Sequence, residues 1–273
     1  MRKAGHSGLW LLSPLAVLYG TFALIPFWMI LQFSLTDGGI AFQTVLHSRI
    51  LPRVATNTVV ISAITTVIAI LLGTLLAACL WRAGPGQRRV LLGFILLPFW
   101  TAVLIKNFAW AALLQDNGLI NTILLDTHLI ASPLTLLHNR IAVVIGMVHY
   151  VLPYAVFPIF NAMQSIDRSL ERAARSLGAG SLSLNLRIIL PLILPGLSAA
   201  AILVFVVSVG FFITPIILGA PSDMMIANLV DYYVHELVDF NAGSALAVMI
   251  LGSVLPLIVL QQSLNRGQHH ATL

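Results

Sequence analysis

The densest group of side chains able to do chemistry lies in one stretch, Ser165-Ile166-Asp167-Arg168-Ser169-Leu170-Glu171-Arg172-Ala173-Ala174-Arg175-Ser176-Leu177-Gly178-Ala179. Its apolar members Leu170, Ala173, Ala174 and Leu177 fall at i, i+3, i+4 and i+7, the repeat that sets them on one helix face. Asp167 suits the N-cap, where a carboxylate accepts from a free backbone N–H, and Gly178 suits the left-handed residue that closes a helix. The expected product is an amphipathic helix about 15 Å long, too short to cross a bilayer, with two alanines where another protein can approach closely. Lipid headgroups could also receive such a basic helix. The sharp return signalled by Ile189-Leu190-Pro191 and Pro195-Gly196-Leu197 favours a protein contact.

Elsewhere the signatures of catalysis are missing. The two lysines, Lys3 and Lys106, follow no Gly-x-x-x-x-Gly loop, and there is no His-Glu-x-x-His pair or Gly-x-Ser-x-Gly turn. No catalytic residue and no metal site is expected. The single cysteine, Cys79, sits in an apolar run and excludes an internal disulfide. Of eight histidines only His149 falls inside an apolar run.

These groups must be positioned by a membrane domain. Of 273 residues, 59% are hydrophobic and 8% charged, with a mean hydropathy of +0.99, against roughly 25% charge in soluble domains. That balance disfavours a soluble enzyme, a disordered chain or a nucleic-acid binder, and the expectation is an all-α integral membrane protein. Apolar runs able to cross about 30 Å of hydrocarbon occur near residues 9–33, 58–81, 90–114, 141–163, 188–218 and 245–260, six spans in a single domain covering 1–273, with the charged loop at 164–187. Prolines at 14, 26, 98, 153, 158, 191, 195, 215 and 256 predict kinks, which are tolerated where neighbouring helices or a cavity satisfy the freed carbonyls.

Six spans place both termini on one side. That face would hold ten basic residues (Arg2, Lys3, Arg82, Arg88, Arg89, Arg168, Arg172, Arg175, Arg187 and Arg266) against Asp167 and Glu171. The other holds Arg49, Arg53, Lys106 and Arg140 against seven acids. The positive-inside rule makes the basic face cytoplasmic, with both termini inside, and contact with anionic lipid explains its charge without nucleic acid.

Glu171-Arg172-Ala173-Ala174-Arg175-Ser176-Leu177-Gly178-Ala179, followed by Leu190-Pro191 and Pro195-Gly196, resembles the cytoplasmic EAA loop of permease subunits of bacterial ABC importers. Leu97-Pro98-Phe99-Trp100-Thr101, Phe108-Ala109-Trp110, Asn117-Gly118-Leu119-Ile120-Asn121, Phe211-Phe212-Ile213-Thr214-Pro215 and Leu218-Gly219-Ala220-Pro221 are similar to motifs of the spermidine/putrescine-type permeases. The resemblance implies the type I importer permease fold and a place in the bacterial inner membrane. It also implies a second homologous permease subunit, two ATPase subunits that bind ATP and Mg, and an extracytoplasmic solute-binding protein. Leu170, Glu171, Arg172, Ala173, Ala174, Leu177, Gly178 and Ala179 would form the helix that couples to the ATPase. Two departures stand out: Arg172 occupies the family's glutamate position, and Phe211 stands where many members carry an acid.

Candidates for the solute pathway are Lys106, near the outer end of the third run, Trp100, Trp110, Phe212 and Thr214. Trp100 and Trp110 lie about 80° apart around a helix and do not form one stripe; Trp100, beside Pro98, is the better aromatic wall for a cation. The outer acids Asp223, Asp231, Glu236 and Asp239 could attract a cationic solute or face a binding protein. The reading is half of an ATP-driven translocation pathway for a polyamine or related small organic solute, working by alternating access. A stand-alone secondary transporter or channel and a membrane-embedded enzyme are the alternatives.

Overall fold

The helix at the centre is α7 (Arg140–Gln164), and its sequence explains why. Asn139 caps it by accepting from the Ala142 N–H at 3.0 Å, and small or β-branched residues let neighbours approach along most of its length. Of its apolar window, 61% is buried within the chain, against 6% for Val17–Leu35 of α1 (Ser7–Leu35). This computed structural model describes residues 7–36 and 38–269; Arg2, Lys3 and Asp37, which entered the charge tally, lie outside them.

The described residues form two units. One contains α1, α2 (Ile40–Leu46) and Leu229–Gly252, in which Phe33 and Phe240 meet with ring centroids 6.4 Å apart. The other contains Pro52–Asn228 and the chain from Ser253 onward. It is built from α3 (Leu51–Arg82), α4 (Pro85–Trp100), α5 (Val103–Leu114), α6 (Leu119–Asp126), α7, α8 (Arg168–Ser176), α9 (Ser181–Leu184), α10 (Leu190–Val209), α11 (Ile213–Leu218) and the first half of the helical turn α12 (Ile226–Asp231). The last helix, α13 (Phe240–His269), runs from one unit into the other.

Four helical segments are long and apolar enough to cross a bilayer: Val17–Leu35, α3, α7 and Ser181–Val209. A fifth exists if α4 and Val103–Asp126 count together, and they meet at 100°. The apolar part of α13, Phe240–Pro256, is shorter. The expected third run, 90–114, is therefore no straight rod: Thr101 and Ala102 are extended between its halves. The fifth run also differs. Helix resumes early, at Ser181, passes through a π-helical turn at Asn185–Ile189 and ends at Val209. A separate short helix then carries Thr214 and Pro215.

Packing of α10 on α7 depends on one glycine. A Cβ at Gly196 would lie 2.5 Å from Ala162 Cβ and 2.9 Å from the Pro158 carbonyl oxygen. Only a missing side chain permits that approach, which gives the Pro195-Gly196 pair a structural purpose.

A polar knot closes the segment after α11. Asn57 Nδ2 donates to the Ser222 and Met224 carbonyls, and Arg140 Nη2 donates to Asn57 Oδ1 at 2.8 Å. The Ile226 N–H donates to Thr58 Oγ1, and Asn228 Nδ2 to the Phe212 carbonyl. Asp223 is 7% exposed, with Oδ1 3.4 Å from Arg140 Nε. Three of the four acids from Asp223 to Asp239 have structural partners: Asp223 pairs within the knot, Asp231 pairs with His235 at 2.6 Å, and Asp239 Oδ1 accepts from the Ala242 N–H at the start of α13.

Candidate functional site

Two features carry the chemistry, both in the larger unit. The first is α8. Asp167 Oδ1 accepts from the Ser169 N–H at 2.8 Å, the cap that the sequence predicts. At the other end Gly178 has φ +82°, the Gly178 N–H donates to Arg175 and the Ala179 N–H donates to Ala174. This pair of bonds is the Schellman closure of a helix.

The four apolar residues of α8 do not share one environment. Ala174 is buried, in a cluster with Leu80 and Trp81 of α3, Ile159 and Met163 of α7, and Ile193 of α10. Ala173 is exposed, Leu170 is 46% exposed and Leu177 89%. One small residue seats the helix while its larger apolar side chains stay bare. Arg168 adds a clasp: Nη2 donates to the Trp81 carbonyl at 2.6 Å, and its guanidinium lies 5.5 Å from the Trp81 ring. Arg82 Nη2 donates to Asn185 Oδ1 at 3.2 Å and ties the same end of α3 to the π-helical turn. Glu171 pairs within the helix, its Oε1 2.9 Å from Arg175 Nη2, and Arg172 is exposed. Glu171 thus serves the helix itself.

The second feature is a cavity of about 260 Å³ at the corner between α4 and α5, lined by Pro98, Phe99, Thr101, Lys106, Tyr150 and Tyr154 among others. Lys106 reaches across the corner, Nζ donating to the Pro98 carbonyl at 2.9 Å and lying 4.4 Å from the centre of the Tyr150 ring. Tyr150 stacks on Tyr154 with centroids 6.1 Å apart and meets Phe211 edge-on at 5.0 Å, and Phe99 lies 5.3 Å from Tyr154. Phe211 thus forms one side of an aromatic cluster.

Among the sequence candidates, only Lys106 lines this cavity. Trp100 ends α4 and is 88% exposed. Trp110 Nε1 donates to His149 Nδ1 at 3.0 Å, which accounts for the histidine of the apolar run as a structural partner. Phe212 holds the knot through its carbonyl, and Thr214 is buried with its methyl turned toward Gly146. Sequence reasoning missed Tyr150, Tyr154 and Phe99. The available signal was Tyr150 and Tyr154 at i and i+4 beside Pro153, one helical face.

Residues 69–270 match the family described as the binding-protein-dependent transport system inner membrane component. The chain is 31% identical to the spermidine/putrescine transport system permease protein PotB of Haemophilus influenzae over 246 residues, 86% of each chain. It is 30% identical to PotB of Escherichia coli, covering 77% of this chain and 72% of that one. In fold, it matches a chain of a bacterial alginate ABC transporter crystallised with an alginate pentasaccharide-bound periplasmic protein, at a TM-score of 0.79, 18% identity and 94% of each chain. A chain of the MetNI methionine ABC transporter in an inward-facing conformation matches at 0.59 and 17% identity, over 80% of this chain and 95% of that one.

Proposed function

The chain belongs to the binding-protein-dependent transport inner membrane components, as a non-enzymatic permease subunit of an ABC importer, and from that membership we propose how its parts work. It forms half of a pathway for a polyamine or a related small organic solute. A second homologous permease supplies the other half, two ATPase subunits bind ATP and Mg, and an extracytoplasmic binding protein delivers the solute. Both termini and α8 lie on the cytoplasmic side.

The observation that carries the reading is the mounting of α8: fastened to α3 by Arg168 and to the helix cluster by Ala174, with Leu170, Ala173 and Leu177 bare beside it. An apolar face presented outside the bilayer by a rigidly held helix is what an ATPase cleft needs to grip. Leu170, Ala173 and Leu177 make that contact; Glu171, Arg172, Gly178 and Ala179 fix its shape and charge. Closure of the ATPase pair on ATP moves α8, and α8 moves α3 and α10, so the cavity alternates between the two sides.

Replacing Ala173 with Trp, or Gly178 with Val, tests this. The first blocks the bare face; the second forces a β-branched residue into a left-handed conformation that costs about 1–2 kcal/mol. Uptake should be abolished and ATPase co-purification weakened, with membrane insertion at the normal level. Normal uptake and normal co-purification in both variants would overturn the assignment.

A further inference from the structure

The cavity at the α4–α5 corner has a one-sided charge balance. Lys106 lies in the first turn of α5, and the N-cap residue Ala102 provides no side-chain hydrogen bond. A helix N-terminus already carries partial positive charge and favours anions. A lysine there adds to that potential, in a position where helices ordinarily place acids. No acidic residue lines the cavity, and among the described residues Lys106 forms no ion pair. The ammonium has three donors. The Pro98 carbonyl takes one, the Tyr150 ring covers one side, and donor capacity remains. Tyr150 and Tyr154, their rings stacked, complete the aromatic side of the lining.

A polycation entering here would set ammonium beside ammonium with no carboxylate between them. An oxyanion would meet an ammonium with donor capacity left, at a helix end that no side chain caps. We infer that this cavity receives a carboxylate or phosphonate group of the transported solute, with Lys106 as the group that binds it. The inference rests on the permease reading and narrows it: among polyamine-like solutes, the cargo carries an oxyanion as well as any amine.

Reconstitute the full transporter in liposomes, with its binding protein on the outside, and measure MgATP-dependent uptake of three labelled solutes. Putrescine carries two amines, γ-aminobutyrate replaces one with a carboxylate, and aminopropylphosphonate carries a phosphonate. Uptake of one or both oxyanion-bearing solutes is expected, and which of them is carried identifies the group. For that solute, Lys106→Met should raise KM about tenfold or more, the loss expected for a charge-assisted hydrogen bond, and Lys106→Arg should restore most of it. ATPase co-purified per permease, measured in each variant, reports assembly separately. Uptake confined to putrescine, uptake of none of the three, or a Lys106→Met KM within about twofold of the parent overturns the inference. Loss of ATPase association from the unmodified chain would instead overturn the permease reading.

Discussion

Asp167 shows how a single residue couples charge to local structure. Hydrogen bonds from the Ser169 hydroxyl and backbone N–H, with a smaller contribution from nearby Arg172, hold its carboxyl below the ordinary value. The cap's contribution is therefore complete above the unfolded carboxyl's pKa and is lost as pH falls through the depressed folded value. Amide-exchange protection at Ser169 in detergent should be maintained at mildly acidic pH and decline only in stronger acid. An Asp167→Asn variant, which retains a capping oxygen without a titrating carboxyl, should show no such decline; matching profiles would count against the cap's role. This cap was legible in sequence because capping is local: Asp167 and Gly178 announce the ends of α8 without reference to the rest of the chain. Asp223 was not. Its partner Arg140 lies 83 residues away, and an acid with a distant partner reads in sequence like a solvated one.

At the scale of elements, the close contact of α7 and α10 makes a stringent prediction. Gly196→Val should destabilise the protein by about 1–3 kcal/mol through overpacking, read as a lower melting temperature in detergent. Ala162→Gly in the same chain should recover part of the loss, because it removes the nearest obstructing atom; additive effects in the double variant would sink the account. The helices themselves followed from hydropathy, since a long apolar run with few charges has few other ways to satisfy its backbone in a bilayer. Their interruptions did not. Pro98 marks a kink, but the 100° corner and the lysine bridging it result from what packs against α5 and α7. The aromatic cluster was hidden for the same reason, as it draws Phe99, Tyr150 and Phe211 from three separate stretches of chain.

At the scale of the molecule, the bias of arginine and lysine predicts an orientation. In a Cys79→Ser background, Ser176→Cys should react with a membrane-impermeant maleimide only from the cytoplasmic side, and Asp126→Cys only from outside. The reverse pattern would invert the topology and remove α8 from reach of an ATPase. A mechanical consequence follows from the way α8 is attached. A part held at one point pivots under load, whereas a part held at two must turn with its support. Arg168 fixes one end of α8 to the terminus of α3, and Ala174 fixes the next turns against α7 and α10. A push on the bare leucines, applied as the proposed coupling requires, would therefore reach the long helices as torque as well as thrust.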